Sequence, residues 1–139
     1  MKKITFILVS LFLLTNCKSG NIVKFVDINY QQTEIEKQII KKIDSPLNII
    51  FEDNFKNDRV KIYIDEELVF NQEISTGDII GIASKYIVKN DYKKISIETD
   101  FTKISLNKKE IKIFKNIYID KLPSNKLEIL ITNKLHFYK

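Results

Sequence analysis

The sequence has one cysteine, one histidine, no tryptophan, three glycines and two prolines in 139 residues, and each scarcity removes a class of chemistry. A single cysteine allows no intramolecular disulfide, and one cysteine with one histidine cannot supply the several ligands of a zinc site. Nucleophilic catalysis by Ser or Cys needs a base poised near neutral pH, and the sole histidine is His136, three residues from the end of the chain. Placed between Leu135 and Phe137 in a final strand, its ring falls on the face opposite theirs and reads as an exposed or edge histidine. Three glycines leave little material for a phosphate-cradling loop, and GxGxxG, P-loop and GxSxG patterns do not occur. The lack of tryptophan counts against a sugar-stacking platform. No cofactor is implied.

What is present points to one folded domain. Hydrophobic residues make up 44% and charged residues 29% of the chain, a balance that excludes a wholly disordered or multi-spanning protein. Isoleucine is the commonest residue, and β-branched side chains suit a pleated surface better than a helix.

The first residues carry an address. Lys2 and Lys3 precede an apolar stretch over residues 4–14, broken only by Thr5 and Ser10. Its 11 residues fall short of the roughly 20 that a bilayer-spanning helix needs, which makes it a signal h-region. Leu14-Thr15-Asn16-Cys17 follows and resembles the lipobox of bacterial lipoproteins, with Asn16 where Gly, Ala or Ser is commoner. The resemblance implies removal of residues 1–16 and lipidation of Cys17, which accounts for the position and solitude of that thiol. Several acyl chains, at about 0.8 kcal/mol per buried methylene, anchor firmly where one does not. It further implies an extracytoplasmic, membrane-tethered protein; with Lys18 rather than aspartate after the cysteine, the outer membrane is the expected site in a diderm cell.

Behind the leader, residues 17–45 read as a tether, a first strand over 22–28 and a short helix. Thr33-Glu34-Ile35-Glu36 has the capping-box form, Ile35, Ile39, Ile40 and Ile43 recur at helical spacing, and Ser45-Pro46 ends the segment. Residues 46–139 read as a β-sandwich. Val60, Ile62 and Ile64 alternate with Lys61, Tyr63 and Asp65, and Leu68, Phe70, Gln72 and Ile74 continue after an acidic turn, so residues 59–74 form a hairpin. Further strands are expected at 79–88, 94–99, 103–106, 110–114, 117–119, 127–132 and 135–138. Turn-forming clusters at 75–78, 89–91, 107–109 and 122–125 separate them. This spacing predicts an all-β, antiparallel sandwich, immunoglobulin-like or jelly-roll-like.

Candidate sites are few. Glu52-Asp53-Asn54 with Asp58, and Asp65-Glu66-Glu67, lack the ligand ladder and glycine of a calcium loop and read as solvated turns. Charge is uneven: residues 17–84 carry 8 basic and 12 acidic side chains, residues 85–139 carry 13 and 6. Lys93, Lys94, Lys103 and Lys112, with Tyr86, Tyr92 and Tyr118 among them, are the candidate binding surface, within a wider set of Lys85, Lys89, Lys108, Lys109 and Lys115 with Phe101 and Phe114. An envelope protein, anionic glycan or lipid headgroup would suit that charge, whereas nucleic acid does not suit the address. The competing account is that these lysines keep sheet edges soluble and unpaired. The sequence thus predicts a non-catalytic, lipid-anchored binding or structural module of the cell envelope. An inhibitor or immunity-type lipoprotein is the nearest alternative, and a carboxylate-dependent envelope hydrolase the more distant one.

Overall fold

The computed structural model describes residues 20–26, 31–42 and 47–136. Nine strands form two sheets packed face to face. One contains β1 (Ile22–Phe25), β9 (Leu127–Thr132), β8 (Asn116–Lys121), β2 (Leu47–Phe51) and β5 (Ser84–Val88), in that order; the other contains β4 (Glu67–Ile74), β3 (Asp58–Ile64), β6 (Lys94–Thr99) and β7 (Lys103–Asn107). Two short helices, α1 (Glu34–Lys42) and α2 (Lys108–Ile111), complete the described elements. Cys17 and the expected leader over residues 1–16 lie outside the described residues.

The sandwich expectation holds, with one topological correction. The four-stranded sheet is antiparallel throughout, but the five-stranded sheet is mixed because β1 runs parallel to β9 and β2 parallel to β8. Residues far apart in sequence make both parallel pairs, so local alternation carried no sign of them.

The core lies between the inner faces. Ile49, Phe51, Ile117, Ile119, Ile129 and Ile131 from one sheet meet Val60, Ile62, Ile95 and Ile97 from the other, all buried. Each such side chain contributes about 1.5–3 kcal/mol of transfer free energy. Phe51 lies edge-on to Phe55 and stacks on Phe70, with centroids at 5.6 and 6.2 Å.

Local signals explain several elements. The expected capping box opens α1: Glu36 N donates to Thr33 Oγ1 at 3.3 Å, and Thr33 N donates to Glu36 Oε2 at 2.9 Å. Its apolar face differs from expectation, since Ile35 is exposed while Glu36 is buried; Ile43 and the Ser45-Pro46 stop lie outside the described residues. The 59–74 hairpin forms, turning through Asp65 and Glu66 at φ 48° and 72°. A bulge after Ile62 pairs Tyr63 with Leu68 and leaves Leu68 exposed instead of inward.

Three other expectations are corrected. Residues 110–114 are not a strand, because Lys112 N donates to Lys108 O at 2.8 Å and Phe114 N to Ile111 O at 2.9 Å. The resulting helical turn buries Ile111 and Phe114 and exposes Ile113, where alternation would have paired Ile111 with Ile113. The strand expected from residue 79 begins only at Ser84, behind a turn that Gly81 N closes onto Gly77 O at 3.1 Å. Leu135 and His136 belong to no strand, and residues 137–139 lie outside the described residues.

Candidate functional site

Two places gather chemistry-bearing side chains. The first is the outer face of the five-stranded sheet, where Asn48 projects from β2 and Glu52 follows its end, Asn116 and Tyr118 project from β8, and Thr132 ends β9. All five are buried, as is Glu36 of α1. Gln32, ahead of α1, donates from Nε2 to Asn133 O at 3.4 Å, and Asn133 Nδ2 donates to Ile113 O at 3.0 Å. Beyond Thr132 the chain doubles back across this face.

Most polar atoms there answer to the backbone or a neighbour, whereas Asn133 Oδ1 is buried without a hydrogen-bond partner. Asn48 Nδ2 donates to Asn116 Oδ1 at 3.1 Å, and Asn116 Nδ2 to Lys134 O at 3.3 Å. Tyr118 Oη accepts from His136 N at 2.9 Å and donates to Lys134 O at 3.4 Å. The His136 ring stacks on Tyr118, with centroids 3.7 Å apart and planes within 10°, while Nδ1 lies 2.9 Å from Glu52 Oε1. Burial, reinforced by the Glu52 and Glu36 carboxylates, pushes the Tyr118 phenol up to about 12 against the partial relief of the His136 amide. Nearby, burial also raises Asp120, whose Oδ1 accepts from Asp53 N at 2.9 Å.

This cluster acts as a clasp. His136 is not the exposed or edge residue expected from alternation; it holds the returning segment onto the sheet through a side-chain hydrogen bond to Glu52 and a stack on Tyr118. Glu36 and Glu52 are buried within the clasp, at 2% and 7% exposure. Thr132 Oγ1 is engaged as acceptor to Lys134 N at 3.0 Å.

The second place is one pole of the sandwich. β5 ends at Val88, β6 begins at Lys94, β7 ends at Asn107 and β8 begins at Asn116, so residues 89–93 and 108–115 meet there. A cavity of about 620 Å³ is lined by Lys93, Asn107, Lys108, Lys109, Glu110 and Lys112. A second of about 260 Å³ shares Lys108 and Lys112 and adds Lys89 and Lys115. The local carboxylates are committed elsewhere. Asp91 pairs with Lys108, whose hydrogen bond holds its carboxyl below the usual range; Glu110 accepts from Asn107 N at 3.2 Å. Asp65 accepts from the amides of Lys94 and Lys93, each at 2.8 Å, which lowers its pKa. Lys89, Lys93, Lys109, Lys112 and Lys115 make no ion pair with any described carboxylate.

The structure therefore unites Lys93 and Lys112 but disperses the other candidates. Lys94 pairs with Glu66 at 3.4 Å. Lys103 lies at the other end of the sheet, pairs with Glu98 at 3.6 Å and caps the Tyr63 ring at 5.0 Å. The tyrosines offer no ring faces to a ligand: Tyr118 belongs to the clasp, Tyr92 is buried beneath Lys108, and Tyr86 packs edge-on against Phe70. Among the acidic residues, Asp58 accepts from Lys56 N and Lys121 Nζ, both at 2.7 Å. No group of three or more His, Cys, Asp or Glu among the described residues is arranged to hold a metal ion.

Sequence reasoning missed Asn48, Asn116 and Thr132. A polar residue at every second strand position is the ordinary sign of a wet face, and nothing local says that α1 and the C-terminal segment cover this one. Comparison with models of known families, with curated proteins and with solved structures found no match.

Proposed function

We propose that the chain is a lipid-anchored, extracytoplasmic binding protein of the bacterial envelope, tethered through Cys17 and offering its lysine pole to an acidic partner. The observation that carries the address is the leader of residues 1–16, too short to span a bilayer and ending at the only cysteine. No helix among the described residues is long and apolar enough to cross a membrane, so the proposed attachment rests on acyl chains. Binding is favoured because Glu36 and Glu52 are buried in the clasp while the exposed charge gathered at the 89–93 and 108–115 pole is mostly lysine without an ion-pair partner among the described residues.

The partner class follows from chemistry. Lysine ammonium groups on flexible stems suit carboxylates without demanding the planar geometry that arginine imposes. Ile113, exposed between Lys112 and Lys115, adds an apolar anchor of the kind protein interfaces use. An acidic protein fits this mixture better than a glycan, which would look for exposed aromatic rings. An inhibitor or immunity-type role is one form of the same reading.

Fractionation tests the address. Cys17→Ser should move the protein from the membrane pellet to the soluble fraction, and mass spectrometry of the native protein should find residues 1–16 removed and the sulfur acylated. Unchanged partitioning of Cys17→Ser, or a bare thiol on the native chain, would defeat the proposal.

A further inference from the structure

The pole opposite the lysines carries an unusual set of apolar tips. Ile79 and Ile80 are 89% and 55% exposed, and Phe101 is 62% exposed. Both tips belong to this pole: Ile79 and Ile80 lie between the end of β4 and the start of β5, and Phe101 between the end of β6 and the start of β7. Ile22, 41% exposed, opens β1 at the same level, where the neighbouring Asn21 side chain donates to Thr102 Oγ1 at 2.8 Å. Turn tips ordinarily carry Gly, Asn, Asp or Ser. Here the backbone holds apolar side chains outward: Gly81, at φ +63°, donates to Gly77 O at 3.1 Å, and Gly77 N donates to Ile82 O at 3.3 Å, closing the loop around Ile79 and Ile80.

The chain enters the fold at this pole. Four residues separate Cys17 from Ile22, a reach of about 18 Å at most even when fully extended. We infer that the Ile79-Ile80 and Phe101 tips, on either side of the entering strand, rest in the headgroup and acyl boundary of the bilayer that holds Cys17, so that the sandwich stands on the membrane with its lysine pole directed away. This orientation rests on the anchor proposed above. Asp78 and Asp100 beside the tips keep the immersion shallow and make the attraction apolar rather than electrostatic. Among the described residues, the other large exposed apolar side chains, Phe25, Ile35, Leu68 and Ile113, lie away from this pole.

Because Cys17 is the sole cysteine and is acylated under this reading, an introduced thiol can be labelled alone. The lipidated full chain carrying Ile80→Cys, Phe101→Cys or, as reference, Ile113→Cys would be labelled with an environment-sensitive fluorophore and reconstituted in phosphatidylcholine liposomes. Positions 80 and 101 should give blue-shifted emission quenched by nitroxide-bearing lipid, and position 113 should behave as if in water. Water-like emission at 80 and 101 would overturn the inference. The same labels on a Cys17→Ser background, titrated with vesicles, separate the two claims. A blue shift that persists at high lipid supports the tips whether or not the chain is acylated, and loss of the shift at all lipid concentrations counts against them. In that background, with the label at position 80, Ile79→Asp with Phe101→Asp should abolish the response.

Discussion

Tyr118 shows how one side chain can serve a fold through several bonds at once. Its hydroxyl receives the His136 amide and reaches the Lys134 carbonyl, while its ring supports the His136 imidazole. Tyr118→Phe keeps the ring and strands the His136 amide, so a loss of about 1–2 kcal/mol is expected. The pH signature is more specific. With the folded phenol at about 12 against the ordinary tyrosine value of 10.0, the folded state holds the proton more tightly than the unfolded chain. The contribution is complete below pH 10 and fades as pH rises toward 12. Denaturant melts of the native and Tyr118→Phe chains should therefore converge across that window, and a constant gap would show that the phenol is not the group responsible.

At the scale of elements, the β3–β4 hairpin joins its strands through two residues in the left-handed region, Asp65 and Glu66, the arrangement that matches the twist of paired strands. Asp65 belongs there because its carboxylate accepts the Lys93 and Lys94 amides. Glu66 brings only an exposed contact to Lys94, worth little in water, and it bears the steric strain of positive φ. Glu66→Gly should stabilise the domain by about 1 kcal/mol, raising the thermal midpoint by a few degrees; a lower midpoint would show that the Lys94 pair outweighs the strain. The hairpin, the α1 cap and strands β6 and β9 were legible because their determinants lie within a few residues of one another. The helical turn at 108–111 was not, because Ile111, Ile113 and Phe114 satisfy a strand period and a helical period almost equally until the core selects Phe114.

For the whole molecule, strand directions separate two kinds of surface at the two ends. β1 enters at the end with Ile79, Ile80 and Phe101, and the far ends of β1, β5, β7 and β9 lead to the lysines. The expected binding behaviour is correspondingly local. Detergent-solubilised full chain should bind labelled poly-L-glutamate with an affinity that falls as salt rises. Lys93→Glu with Lys112→Glu should weaken it about tenfold or more, whereas Lys56→Glu near the apolar end should have little effect. Equal binding by all three chains would remove the lysine pole as a site, and tighter binding to heparin than to poly-L-glutamate would point to a glycan.

By itself the sequence determined what depends on neighbours along the chain: the alternation that makes sheets, the capping box, and the cationic bias of the C-terminal half. Tertiary structure alone decided which strands run parallel, that a face of asparagine, tyrosine and glutamate is roofed over instead of wet, and that lysines spread over residues 89–115 converge while Lys103 does not. The physical reason is that burial and charge clustering depend on distances across the sheets, between residues up to a hundred positions apart. Periodicity records only which side of its own strand a residue occupies.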